Sequence, residues 1–162
     1  MLDILIAQSF SGTSPEAALL RSVVAVTLGA VIGVERSLHA RTAGLRTHVL
    51  IALASCLFAL VSFEIVARHE DEPTDPLRLI EAVTSGVAFL AAGSIIQSRG
   101  SLFGLTTGAG MWLAGAIGLA CGIGALALAV MATVIVVPVL WFLRPVSHAL
   151  SADNPSRKDG VG

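Results

Sequence analysis

The stretch GSLFGLTTGAGMWLAGAIGLACGIGALALAVMATVIVVPVLWFL, residues 100 to 143, runs 44 residues without one Asp, Glu, Lys or Arg. As one helix it would reach about 66 Å at 1.5 Å per residue, roughly twice the hydrocarbon thickness of a bilayer. The chain must therefore turn inside it. Cys121-Gly122-Ile123-Gly124 supplies the turn, because two glycines relax the backbone there. Two spans follow, one over about 102 to 120 and one over about 125 to 143. Upstream, apolar runs place further spans at 17 to 34, about 47 to 67 and about 79 to 96. Lipid offers no partner to open backbone groups, so each span is helical. The expected fold is an all-α, polytopic transmembrane bundle of about five spans.

Composition agrees. The chain has 162 residues, 55% hydrophobic and 13% charged, with a mean hydropathy of +0.86. A soluble domain carries about 25% charged residues. The net charge is −1 and no basic run interleaved with aromatics occurs, which sets nucleic-acid binding aside. Cys56 and Cys121 lie in apolar runs and read as small buried hydrophobes. The N-terminus lacks a basic region and carries Asp3, so a cleaved signal peptide is not expected and the first span acts as its own insertion signal.

Arginine placement sets the sidedness. Arg36, Arg41, Arg46, Arg99, Arg144, Arg157 and Lys158 fall on one side, and Arg21, Arg68 and Arg78 on the other. The richer side is expected to be cytoplasmic, with the N-terminus out and the C-terminus in. Residues 1 to 16 then form an extracytoplasmic segment, 17 to 143 the membrane domain and 144 to 162 a disordered cytoplasmic tail. Arg21 lies one turn inside its span and is expected to snorkel to the headgroups.

Small residues concentrate in the fourth span. Gly104, Gly108, Gly110, Gly115, Gly118, Gly122 and Gly124 lie there, and Gly29 and Gly33 in the first. Such spacing lets helices approach closely in lipid. It fits packing within one bundle first, with a homodimer face as the sharper alternative. In the third span Glu81, Ser85, Ala88 and Ala92 share one helical face that could line a polar cleft, with Thr84 and Ser94 beside it. An ionisable residue inside a span is a functional candidate, although Glu81 lies near an end where a charge can also reach the interface or pair with Arg78. Glu64 has the weaker claim. Thr106 and Thr107 could cap the fourth helix or bond back within it, and Trp112, well inside the span, is expected to pack on a neighbour.

The densest polar cluster is the first hairpin. Glu35 and Arg36 close span one, His39 and Arg41 follow, and Gly44-Leu45-Arg46-Thr47-His48 opens span two. Its plainer reading is a positive loop anchored to phosphates. Glu35 and His39 stand at i, i+4, but two ligands are short of a metal set, so neither a metal nor a cofactor is expected. Charge alone would not require this residue order.

Three blocks resemble the MgtC/SapB family of membrane proteins. GAVIGVERSLHARTAGLRTHVLIAL is similar to the family's G-x-x-I-G-x-E-R and A-G-L-R-T signature. SGVAFLAAGSII, with Gly86 and Gly93, is similar to S-G-I-G-F-L-G-A-G-x-I. GLTTGAGMWLAGAIGLACGIG is similar to G-L-T-T-A-A-x-x-W-x-x-A-x-x-G-x-x-x-G-x-G. Ala88 and Ala91 replace glycines, Gly108 replaces an alanine, and Glu81 stands near a place where relatives often carry an amide. The soluble C-terminal domain of longer relatives is not expected here.

The resemblance implies a bacterial inner-membrane protein tied to low-magnesium or acid stress and, in pathogens, to virulence. It also implies membrane-protein partners such as the ATP synthase. Two functions compete. One is a non-enzymatic modulator acting by helix packing. The other is an oligomeric ion or small-solute transporter, magnesium included, for which Glu81, Glu64 and the acidic loop RHEDEPTDPLR would attract cations. No nucleophile paired with a base is visible, so an enzyme is not expected.

Overall fold

The computed structural model describes residues 10–38, 43–68, 75–98 and 101–152. Five helices and one small hairpin occur among them: α1 (Pro15–Leu38), α2 (Leu45–Arg68), α3 (Pro76–Gly93), β1 (Ile96–Ser98), β2 (Ser101–Phe103), α4 (Leu105–Gly122) and α5 (Leu126–Ala152). The bundle is all-α and of membrane type. Helices α1, α2 and α4 are each long and apolar enough to cross a bilayer, and α5 contributes a shorter apolar stretch, Leu126–Phe142. Large side chains such as Leu19, Val23, Phe58, Phe89, Val134 and Phe142 point outward. In water so broad an apolar surface would aggregate, whereas in lipid it is the solvated face.

Helix α4 is the hub, in contact with all four other helices. Lipid tails are as apolar as leucine, so close packing must supply what water-driven burial cannot. The glycines of α4 permit that approach. A Cβ at Gly118 would overlap the carbonyl of Ala52, whose carbon would lie 2.7 Å away. One at Gly122 would meet the Cys56 oxygen at 2.6 Å. On α1, Gly29 sits against Ala52 and His48, and Gly33 against the backbone of Leu45. The α2 stripe His48, Ile51, Ala52, Ser55, Cys56, Ala59 and Leu60 is buried between α1 and α4 at helical spacing. Both cysteines are free and buried.

Helix α3 packs mainly on α4, through Val83, Val87 and Ala91, and touches α2 only lightly. Asp75 caps it by accepting from the Leu77 N–H, with Pro76 at the first helical position.

Several boundaries differ from expectation. The third helix stops at Gly93 rather than near 96, because Ser94 turns its hydroxyl and its N–H back onto the Ala91 carbonyl. The chain then forms an antiparallel hairpin pairing Ile96 with Phe103, Gln97 with Leu102 and Ser98 with Ser101. Gly104, at φ +88°, redirects it into α4. Gly104 and Gly124, at φ +85°, therefore act at turns rather than on packing faces. Helix α5 continues through Arg144 to Ala152, so the first part of the expected tail is helical. Residues 153 to 162 lie outside the described residues.

Candidate functional site: a buried charged cluster

The hairpin between α1 and α2 is stapled from both sides. Ser37 Oγ accepts the Leu45 N–H at 2.7 Å and so caps the start of α2. The same oxygen would stand 2.5 Å from a Cβ on residue 44, which explains the glycine there. Arg46 and Leu45 remain exposed and Thr47 is half-buried.

Three residues of this region are turned inward. Glu35 is 7% exposed, Arg36 3% and His48 0%. Arg36 Nε donates to Glu35 Oε2 at 2.5 Å. Desolvating two charges is expensive, and their mutual attraction repays it only with good geometry. His48 Nδ1 lies 2.9 Å from the Gly44 carbonyl oxygen and, facing an acceptor, must carry its proton there. That leaves Nε2 as the ring's other nitrogen, the one open to a further proton. It looks toward Gly110 of α4, where an added Cβ would lie 3.1 Å from Nε2 and 3.8 Å from Arg36 Cδ. Among the described residues neither Arg36 Nη1 nor His48 Nε2 finds a hydrogen-bond partner. Thr107, one turn before Gly110, is buried too, while Thr106 is exposed.

Arg36 is therefore not a phosphate anchor at the interface but half of an interior ion pair. His39 and Arg41 lie outside the described residues. His48 was read only as part of the hairpin motif and Gly110 only as one of the glycines of the fourth span, and Ser37 was not singled out in the sequence. The signal that could have found His48 is its phase, four residues before Ala52 and seven before Ser55 on the buried stripe of α2.

The polar face of α3 has the opposite fate. Glu81, Ser85, Gly86, Ala88, Ala92 and Gly93 are all exposed. A Cβ on Gly86 or Gly93 would meet nothing within 4 Å. The expected cleft is thus an outward stripe, because Val83, Val87 and Ala91 take the inward positions of that helix. An apolar groove of about 540 Å³ runs beside it between α2 and α3, with Ile51, Ser55, Phe58, Gly86 and Val87 in its lining. Trp112 is half exposed and borders a smaller cavity of about 220 Å³ with Ile80, Thr84 and Val87.

Two other charges acquire partners that their place near span ends did not suggest. Glu64 accepts from the backbone N–H groups of Ser11 at 2.6 Å, Gly12 at 3.1 Å and Thr13 at 3.0 Å, which seats the segment before α1. Arg21 donates to the carbonyl of Gly122 instead of snorkelling outward. Among the described residues no group of three or more His, Cys, Asp or Glu is placed to hold a metal ion.

Comparison with known proteins agrees with the motif reading. The chain is 39% identical over 129 residues to an uncharacterized Synechocystis protein, slr0014, covering 80% of this chain and 53% of that one. It is 35% identical over 139 residues to "Putative magnesium transporter YhiD" of Escherichia coli K12, covering 84% and 65%. To protein MgtC of Brucella abortus it is 37% identical over 126 residues, covering 78% and 51%. The match thus spans about half to two thirds of these relatives' length. No solved structure matches. The MgtC family profile matches residues 23–149, which include the buried Glu35–Arg36 pair, the α3 stripe and the glycine helix, and the chain belongs to the MgtC family.

Proposed function

We propose that this chain is a non-enzymatic modulator of membrane partners, serving adaptation to low magnesium or acid, and that it acts by packing a helix face on the partner. The observation that carries the reading is the contrast between two parts of the bundle. Helices α1, α2 and α4 are locked backbone to backbone at Gly33, Gly118 and Gly122. Helix α3 instead leaves Gly86 and Gly93 open and an apolar groove beside them. Small residues at a lipid-facing position are where a partner helix approaches closely. The ATP synthase, suggested by the family resemblance, is one partner of this kind. A second copy of the chain is another. The membrane is the bacterial inner membrane, with the α1–α2 hairpin inside.

One observation favours transport as a second reading. Glu81 and Ser85 share the outward stripe, so an oligomer could close it into a polar path, and magnesium transport is in the name of the E. coli relative. The test compares low-magnesium growth of cells carrying Glu81→Gln, Gly86→Leu or Arg46→Ala at matched membrane abundance, with ion flux in liposomes. Modulation expects Gly86→Leu to fail, Glu81→Gln to rescue and flux to be absent. A dead but stable Glu81→Gln, with flux lost from a conducting parent, would reverse the ranking.

A further inference from the structure

We propose that His48, enclosed by Arg36, Glu35 and Gly110, is a proton-binding site whose occupancy releases α4 from the α1–α2 hairpin. This goes beyond the modulator reading and does not depend on it.

The case begins with space. His48 Nε2 is fully buried, and Gly110 of α4 faces it with no room even for a methyl group at ordinary contact distance. A ligand with bulk cannot reach that nitrogen while the helices stay packed. A proton can. Nδ1 carries its hydrogen toward the Gly44 oxygen, which leaves the Nε2 lone pair as the place where a further proton would add. Nothing among the described residues donates to Nε2, so that lone pair is available.

The consequence of proton uptake follows from the neighbours. Among the described residues, α1 presents Arg36 and Glu35 to the ring, α4 presents Gly110 and carries no charged residue, and Arg46 on α2 itself is exposed. Helix α3 carries its titratable groups, Arg78 and Glu81, at the other end of the bundle. A proton on Nε2 creates a second buried cation beside Arg36, and the Glu35 carboxylate that Arg36 Nε engages must then serve both cations. It also creates a buried N–H that faces a glycine with no side-chain acceptor. An unmet buried donor is costly, and more so when charged. Separation of Gly110 from the hairpin lets water reach the new N–H. The closed form thus favours the neutral ring and the open form the protonated one. Closure is complete above the titration of His48 and is lost as pH falls through it.

Backbone hydrogen exchange on the full chain in lipid nanodiscs tests this, at about pH 8 and about pH 5.5, either side of the ordinary histidine range, after correction for intrinsic rates. Peptides covering 44 to 50 and 105 to 112 are expected to lose protection in acid, while those covering 52 to 60 keep it. His48→Asn retains an amide N–H for the Gly44 oxygen and has no titratable ring, so it is expected to stay protected at both values. Acid loosening that persists in His48→Asn overturns the proposal, because the three other histidines remain in that variant. A measurement on the unaltered protein covers failure of the variant to fold. Exchange of the imidazole C2 hydrogen of His48, followed by mass spectrometry, titrates the ring directly. Its midpoint is expected to coincide with that of the backbone loosening. Separate midpoints, or no loosening across the range, overturn the proposal.

Discussion

Arg21 on the first helix donates from Nη1 to the main-chain carbonyl of Gly122, 2.9 Å away and 101 residues later. The acceptor belongs to the last turn of α4, where carbonyls lack helical partners and the helix dipole favours a cation. One side chain thus ties α1 to the end of α4. Arg21→Met keeps the apolar stem and removes the donor. It is expected to destabilise the bundle by about 1.5–3 kcal/mol, the range for hydrogen bonds to charged groups. Unfolding in mixed micelles checks this, and a midpoint equal to the parent's would refute the contact.

Gly118 and Gly86 make opposed predictions from the same substitution. Alanine at Gly118 drives its Cβ into the carbonyl of Ala52. The backbones must part, at about 1–3 kcal/mol or more. Alanine at Gly86 meets nothing within 4 Å and should stabilise α3 by roughly 0.5–1 kcal/mol, since glycine is the poorer helix former. Paired thermal denaturation of the two variants measures both signs.

Removing Arg36 leaves Glu35 inside the bundle without its guanidinium. Arg36→Met is expected to cost about 3–5 kcal/mol, the usual penalty for breaking a buried pair from one side. The double variant Glu35→Gln with Arg36→Met should recover much of that loss. A double-mutant cycle on folding stability decides, and additive effects would show that the two residues do not act as a pair.

Glu64→Gln halves the acceptor capacity that holds Ser11, Gly12 and Thr13 and removes the charge that strengthens it. The expected outcome is local. Protease cleavage near residues 10 to 14 should accelerate, while the midpoint of global unfolding stays within about 0.5 kcal/mol of the parent, as for changes away from a core.

The spans were legible because 44 residues without a charge admit no other solvent and no single helix. The glycine faces were legible by spacing. Arg21 and Glu64 were not, because a charge near the end of a span has the same local pattern whether it reaches for headgroups or for a backbone. Its partner is named only by the fold. The inward turn of Arg36 and the outward turn of Glu81 were hidden for a related reason. Periodicity shows which residues share a face but not which face a neighbour covers. The strand pairing at 96 to 103 is three residues a side, too short to stand out from an apolar run.

The glycine content of α4 also bears on how the protein is made. A helix with five glycines among its eleven buried residues gains less from lipid by itself, and much of its stability comes from the grooves of α1 and α2 that receive it. During synthesis that hairpin emerges first and offers the grooves before α4 leaves the ribosome. Helix α4 is thus a guest of an assembled pair. Changes in the hairpin that spare its own insertion should surface as failure to integrate α4, with the chain downstream stranded on the wrong side of the bilayer.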